Sequence, residues 1–383
     1  MLVFSQDAPK ASPLLESYLR NFAKASLSTK IQIVQDSAQV DLKGMGPLYL
    51  KAVEFILDNQ DLIKTDPVAQ QLSILAVGLT GQSGYAEGKY KLWDLFRIND
   101  DTSVRVAVMN TLGQIVIDDK EMIEKLTAWL SGQNSLFFTG NRPDRQVIGE
   151  GVTAMGKIGA VEFFPVLFTA MALGYSNEIT EKAKNALLSV KGNLKDNLIQ
   201  VISKNVVQEK VLALRMALES DKLTDEDKGL AAETAIAVAL GTSSRNDNET
   251  SLLRTLRADA ARALAARSWS KASDYAVRHF NESTLEYDKG FIDKNYFLEA
   301  IAFLGAVKTN EAAERLNLYL GLLNSYVENG QKVDEQVILT VIKNLGILGD
   351  AAASDNLLYV GYIDYSNNVK KAAREAFNNL KFR

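Results

Sequence analysis

A three-point spacing recurs along this chain and constrains its fold more than any other feature. A helix-capping residue is followed three positions later by an apolar residue, and eight further on by an apolar anchor. Asp101, Val104 and Leu112 show it, with Gly113 next; Asp144, Val147 and Met155 repeat it, with Gly156 next. It returns at Asp66, Ala69 and Val77 (then Gly78), at Asp293, Tyr296 and Leu304 (then Gly305), and at Asp334, Val337 and Leu345 (then Gly346). Ser176, Ile179, Leu187 and Ser366, Val369, Phe377 begin with serine and lack the glycine. Successive anchors lie 35, 43 and 32 residues apart through Leu187, then 41 and 32 from Leu304 to Phe377. Self-similarity at such periods marks a repeat architecture.

The spacing has a mechanical meaning. Steps of three, four and four put Val104, Val108 and Leu112 on one helical stripe. Aspartate or serine ahead of the stripe can accept hydrogen bonds from the unpaired N–H groups of the first turn, and aspartate also meets the positive end of the helix dipole. Small residues within the stripes, such as Gly151 with Ala154, Ala183 with Ala186 and Ala373 with Ala376, let a neighbouring helix approach closely. Between the anchored helices lie second amphipathic runs over 120–130, 161–171, 311–320 and 352–362. Each unit is therefore a helix pair of roughly 30–43 residues, too small to bury its own faces and stable only when stacked. Strand-type alternation and hairpin turns are missing, so the expected class is all-α.

Composition narrows the function. With 47% hydrophobic residues the chain is too apolar to be disordered. It has no cysteine and one histidine, which excludes disulfides, thiol chemistry and a conventional structural zinc site. A net charge of −4 and a pI near 5.4 give no general attraction to nucleic acid. The longest apolar stretch, Phe163 to Tyr175, contains Pro165 and falls short of the ~20 residues of a membrane span. No cofactor is expected. Lack of cysteine favours an exported or periplasmic setting over a cytoplasmic one, while leaving the location open.

The pattern Asp-x-x-Val-Arg-x-Ala-(x)4-Leu-Gly, fullest at Asp101, Val104, Arg105, Leu112 and Gly113, resembles the HEAT-repeat family, including its bacterial lyase-like branch. The resemblance covers roughly residues 60–383. It implies a right-handed α-solenoid of stacked helix pairs, a HEAT-like superhelix, in which an arginine after the first apolar position bonds the turn aspartate. That position holds Arg105, Arg257 and Lys370 but Gln70, Ile148, Thr180, Phe297 and Ile338 elsewhere, so a complete ladder is not expected.

Four stretches follow from where the regularity holds. Residues 1–60 read as a divergent helical cap, with helices over 13–25 and 47–59, a poorly ordered start, and a Leu2-Val3-Phe4 segment that fits the tail of a trimmed export signal. Residues 61–190 and 251–383 carry the regular repeats, the last ending in a lone capping helix over 367–382. Residues 191–250 form an irregular joint within one solenoid. There Asp227, Leu230 and Val238 keep the offsets at the wrong period, the next helix starts near Thr250, and 241–250 reads as a surface loop.

Catalytic signatures fail on inspection. The segment 81–90 lacks the first glycine and the final Ser/Thr of a phosphate loop, and Tyr85 spoils it as a nucleophile elbow. Ser268 and Lys271 form a bare S-x-x-K, and 223–229 lacks the spacing of a calcium loop. His279, beside Phe280 in a helical run, is expected to take a satisfied packing or surface role rather than transfer protons. Two leads remain. Residues 251–280 carry Arg254, Arg257, Arg262, Arg267, Lys271 and Arg278 against Asp259 and Asp274, a local balance of +4. They form either a cationic shelf for an acidic peptide, phosphate or nucleic-acid backbone, or a solvated face with Arg257 bonded to a carboxylate. The second lead is a rim of long turns over 131–143 and 281–292, bearing Phe137, Phe138, Arg142, Tyr287 and Phe291, which serve as interface anchors or fold back over helix ends. Tyr359, Tyr362 and Tyr365 form a further stripe, assigned to packing. The favoured function is a non-enzymatic scaffold that engages another protein or peptide, an acidic one among the candidates, through its concave face and one rim. The alternatives are phosphate or nucleic-acid binding at the arginines, and a lyase- or glycosylase-like solenoid enzyme.

Overall fold

A computed structural model describes residues 12–63 and 66–381. The opening segment with Leu2-Val3-Phe4, the start expected to be poorly ordered, and the end of the final helix at 382 lie outside the described residues. The fold is all-α and solenoid-like, with no strand among the described residues. Its contacts divide it into two compact units, Met1–Gly192 and Asn193–Arg383. No described helix is long and apolar enough to cross a membrane.

The first unit contains α1 (Pro13–Lys24), α2 (Leu27–Asp41), α3 (Gly46–Asp58), α4 (Gln60–Ile63), α5 (Pro67–Ser83), α6 (Lys89–Ile98), α7 (Thr102–Ile115), α8 (Lys120–Phe138), α9 (Arg145–Ile158), α10 (Phe164–Leu173) and α11 (Asn177–Ser189). Helices α5, α7, α9 and α11 pack in sequence order as one row. The second unit contains α12 (Leu194–Lys204), α13 (Val207–Glu219), α14 (Asp225–Gly241), α15 (Asp247–Ala266), α16 (Ser273–Asp288), α17 (Lys294–Ala306), α18 (Asn310–Glu328), α19 (Glu335–Leu348), α20 (Ser354–Tyr359) and α21 (Asn367–Asn378). Here the odd helices α13 to α21 form one row and the even helices α12 to α20 the other.

The caps stand where the spacing puts them. Asp66, Asp101, Asp144, Ser176, Asp293, Asp334 and Ser366 each accept a backbone N–H in the first turn of the helix they precede. Anchors Val77, Leu112, Met155, Leu304 and Leu345 are wholly buried. Tyr296 and Phe377 are only half-buried. The glycine after an anchor also has its reason. A Cβ on Gly113 would lie 2.9 Å from the Cα of Ala154, and one on Gly156 2.9 Å from the Cα of Ala186. A methyl there would push successive anchored helices apart, and close-packed interiors resist such insertions.

Several expectations are corrected. Helix α14 is capped by Thr224, with Asp227 returning a bond as the third residue of a capping box. The buried face of α14 therefore runs through Ala232, Ala235, Ile236 and Ala239, and Val238 is only half-buried. Helix α15 starts at Asp247 behind Asn246, so only about half of the expected loop over 241–250 is loop. The 191–250 stretch thus folds as regular helices opening the second unit. Helix α2 was not anticipated at all.

From α8 and α18 onward the second unit repeats the first at an interval of 190 residues; the helix pairs before them correspond at slightly different offsets. Asn134 and Asn324, Gly140 and Gly330, Asp144 and Asp334, Gly159 and Gly349, Tyr175 and Tyr365 are such pairs. Their contacts match too. Asn134 Nδ2 donates to the Val166 carbonyl (3.0 Å), and its Oδ1 accepts from the Tyr175 hydroxyl at 2.9 Å. Asn324 Nδ2 donates to the Asn356 carbonyl (3.1 Å), and its Oδ1 accepts from the Tyr365 hydroxyl at 3.3 Å. Lys191 N–H meets the Gly159 carbonyl as Lys381 N–H meets that of Gly349, each at 2.8 Å. Two halves built on one plan become each other's control.

Candidate functional site

The arginine-rich segment folds as α15, the turn after it and the first half of α16, and its charge is answered from its own and neighbouring helices. Arg254 Nε donates to Glu286 at 2.8 Å, and Arg257 binds Glu282, Glu286 and the Tyr296 hydroxyl. Arg262 bridges Asp259 and Glu299, Arg267 reaches Asp225, Lys271 faces Glu226 and Arg278 faces Asp274. The second of the two sequence readings, with Arg257 bonded to carboxylates, describes this geometry. Arg257 is buried. Burial disfavours its charge, but Tyr296, Glu286 and Glu282 more than offset that and raise its pKa. The local excess of +4 is therefore not presented as free charge.

Beneath Arg257 lies His279, 1% exposed, its ring tilted against Tyr296 and Phe303. Burial, with a smaller push from Arg257, lowers its pKa from 6.5 to about 3. The imidazole stays neutral near pH 7 and packs as the sequence led us to expect. A histidine depressed on folding adds stability that is complete above pH 6.5 and is lost as the pH falls toward about 3. Wild-type protein should lose about 2 kcal/mol more than His279→Gln between pH 7 and pH 5, measured by urea unfolding. Parallel losses would place the imidazole in solvent.

The predicted rims are mostly helix. Helix α8 continues to Phe138 and α16 to Asp288, so the turns shrink to 139–144 and 289–293. Phe137 packs on Tyr175 with centroids 4.2 Å apart, and Tyr287 stacks on Phe297 at 4.8 Å. Phe138 and Phe291 are exposed, the latter beneath the Arg254 guanidinium, and Arg142 is exposed on the first turn. These residues therefore do not form one aromatic surface.

The weaker motifs have structural uses. Gly84, at φ 71°, ends α5 inside the phosphate-loop imitation. Asp225, Glu226 and Asp227 occupy the first turn of α14, where the helix dipole favours them. In the S-x-x-K segment, the Trp269 ring lies where a side chain on Gly229 would be, and its Nε1 donates to Glu233 at 2.7 Å. No group of three or more metal-ligating side chains converges among the described residues.

Sequence reasoning missed an apolar surface. Leu318, Leu322 and Tyr326, four residues apart, form an exposed stripe on α18. Leu285 on α16, Leu358 on α20 and Tyr362 just after it are exposed on the helices flanking it. Tyr362, assigned to packing with its neighbours, is 84% exposed, while Tyr365 is held by Asn324. In the first unit, Ala128 and Gly132 stand where α18 has Leu318 and Leu322. The four-residue period was legible; its direction was not.

No family model matches the chain. Over 84 residues, 21% of this chain, it is 31% identical to elongation factor 2 of Nanoarchaeum equitans (strain Kin4-M). The match spans 11% of that protein.

Proposed function

We propose that the chain is a non-enzymatic scaffold of the HEAT-repeat kind that binds a partner protein, with the exposed face of α16, α18 and α20 as a principal contact surface. The observation that carries this reading is the stripe of Leu318, Leu322 and Tyr326, extended by Leu285, Leu358 and Tyr362. A soluble surface bears isolated apolar side chains at little consequence, but a grouped set on adjacent helices marks an interaction site. Its large aromatics supply contact area at low entropic cost. The first unit's smaller residues at matching positions supply a contrast: the repeat plan does not itself require leucine there. Paired arginines and a buried neutral histidine give the phosphate-binding and enzymatic readings no comparable support.

The test is Leu318→Glu combined with Leu322→Glu. Both positions are solvent-exposed, so the thermal unfolding midpoint should stay within ~2 °C of wild type, as surface changes usually do. Cross-linking capture from the native organism should recover proteins with the wild-type bait that the double variant loses. Equal recovery by both baits, or none by either, would remove the stripe as the contact surface.

A further inference from the structure

The two units differ most informatively at one place. The first has a cleft of about 510 Å³ where the second has its own aromatic side chains packed together. Its walls include Trp93, Phe96, Arg97, Arg105, Lys125 and Trp129. Phe96 meets Trp129 edge-on, centroids 5.5 Å apart at 86°, and the Arg105 guanidinium lies 4.5 Å over the Phe96 ring. In the second unit Phe280 meets Tyr319 edge-on at 5.2 Å and 82°. There Phe297 takes the place of Arg105, 5.9 Å from Phe280 and stacked on it. Helix α16 then runs six residues longer than α6 and lays Tyr287 flat on Phe297, 4.8 Å away at 11°. The first unit has no such extension, because α6 stops at Ile98.

We propose that the first unit's cleft binds an aromatic side chain flanked by carboxylates on a segment of a partner protein, its ring stacked on Arg105 as Tyr287 is stacked on Phe297. The proposal rests on reading the chain as a protein-binding scaffold, and assigns that scaffold a second contact of defined chemistry. Exchanging phenylalanine for arginine beneath the ring exchanges aromatic stacking for a cation–π contact. The exchange also brings charge. Arg97, Arg105 and Lys125 stand at the cleft against Asp100 alone among its lining residues. Among the described residues Arg105 makes no salt bridge; its guanidinium lies over Phe96 and acts through space on Asp144, whereas Lys125 is shared with exposed Glu121. Carboxylates beside the ring would meet this excess, giving affinity that weakens with salt. The walls are set in advance: Trp93 and Phe96 are buried, and the Trp129 ring fills space that only glycine at 151 leaves open.

Calorimetric titration of the full chain with Ac-Glu-Glu-Tyr-Glu-Glu-NH2 tests this, alongside the same peptide with Gln for Glu and with Ala for Tyr. The acidic tyrosine peptide should bind, and each control at least about ten-fold more weakly. Ala128→Trp, at an exposed lining position, should block the cleft, and Arg105→Ala should remove the stacking cation; each should weaken binding by about ten-fold or more. Leu318→Glu with Leu322→Glu should leave this affinity unchanged. No binding at millimolar peptide, full binding to Ala128→Trp, or equal binding of N-acetyl-tyrosinamide would overturn the assignment. Loss of this binding with stripe-dependent capture intact would remove the cleft and spare the scaffold, and the reverse pattern would remove the stripe and spare the cleft.

Discussion

Leu345→Asp is expected to lower unfolding free energy by about 4 kcal/mol or more, the combined scale of deleting a buried leucine and burying a carboxyl without a partner. Leu345 is wholly buried on α19, which packs against α17 on one side and α21 on the other. A layer in a stacked repeat owes its stability to such interfaces, so the damage should spread to the flanking helices. Denaturant unfolding followed by helical circular dichroism should show an earlier midpoint and a reduced slope, since cooperativity falls with the interfaces. The loss should shrink on acidification, because a protonated carboxyl is less costly to bury than an ionised one. An unchanged midpoint would mean that the anchor positions do not bear the stack.

That prediction draws on the part of the fold that was plainest in the sequence. Capping is settled within three residues, so Asp66, Asp101, Asp144, Asp293 and Asp334 could be placed without knowing what lies across from them. What depends on a distant neighbour was harder to see. Residues 131–138 looked like a turn because Gly132, Asn134 and Ser135 are poor helix formers, yet Asn134 is buried and tied to Val166 and Tyr175. Helix α2 was hidden by Lys30, which resembles a surface residue; its Nζ instead donates to the Phe22 carbonyl and lies over the Phe22 and Phe55 rings. The 190-residue recurrence was present in the sequence but sat among shorter repeats of similar pattern, and matching hydrogen bonds separate it from them.

The arginines illustrate the same limit in charge. Within 251–280 six cations face two carboxylates, but Glu282, Glu286, Glu299, Asp225 and Glu226 lie outside that window and supply the balance through space. Composition counted along the chain measures charge density, and recognition depends on what remains unpaired after folding. The candidate surfaces therefore emerge from exposure, at Leu318 and Tyr326, and from an unfilled counterpart, at Arg105.

Arg257→Ala should be the most damaging single change among the charged residues, costing about 3 kcal/mol. Its side chain is 6% exposed and holds Glu282 and Glu286 together, with Tyr296 as a third partner. Removing it leaves Glu282 without its cation and the less exposed Glu286, at 19%, with Arg254 alone. Most of the cost comes from those under-compensated carboxylates and little from the lost attraction, because an intact buried pair is close to break-even against well-packed apolar side chains. The distinction is measurable. Arg257→Met with Glu286→Gln, which removes the buried charge on both sides, should recover at least half of the loss seen in Arg257→Ala by urea unfolding. If the double variant is instead the less stable, the ion pair itself holds α15 to α16. An Arg254→Ala control, whose side chain is more exposed and leaves Arg257 to neutralise Glu286, should cost less than either.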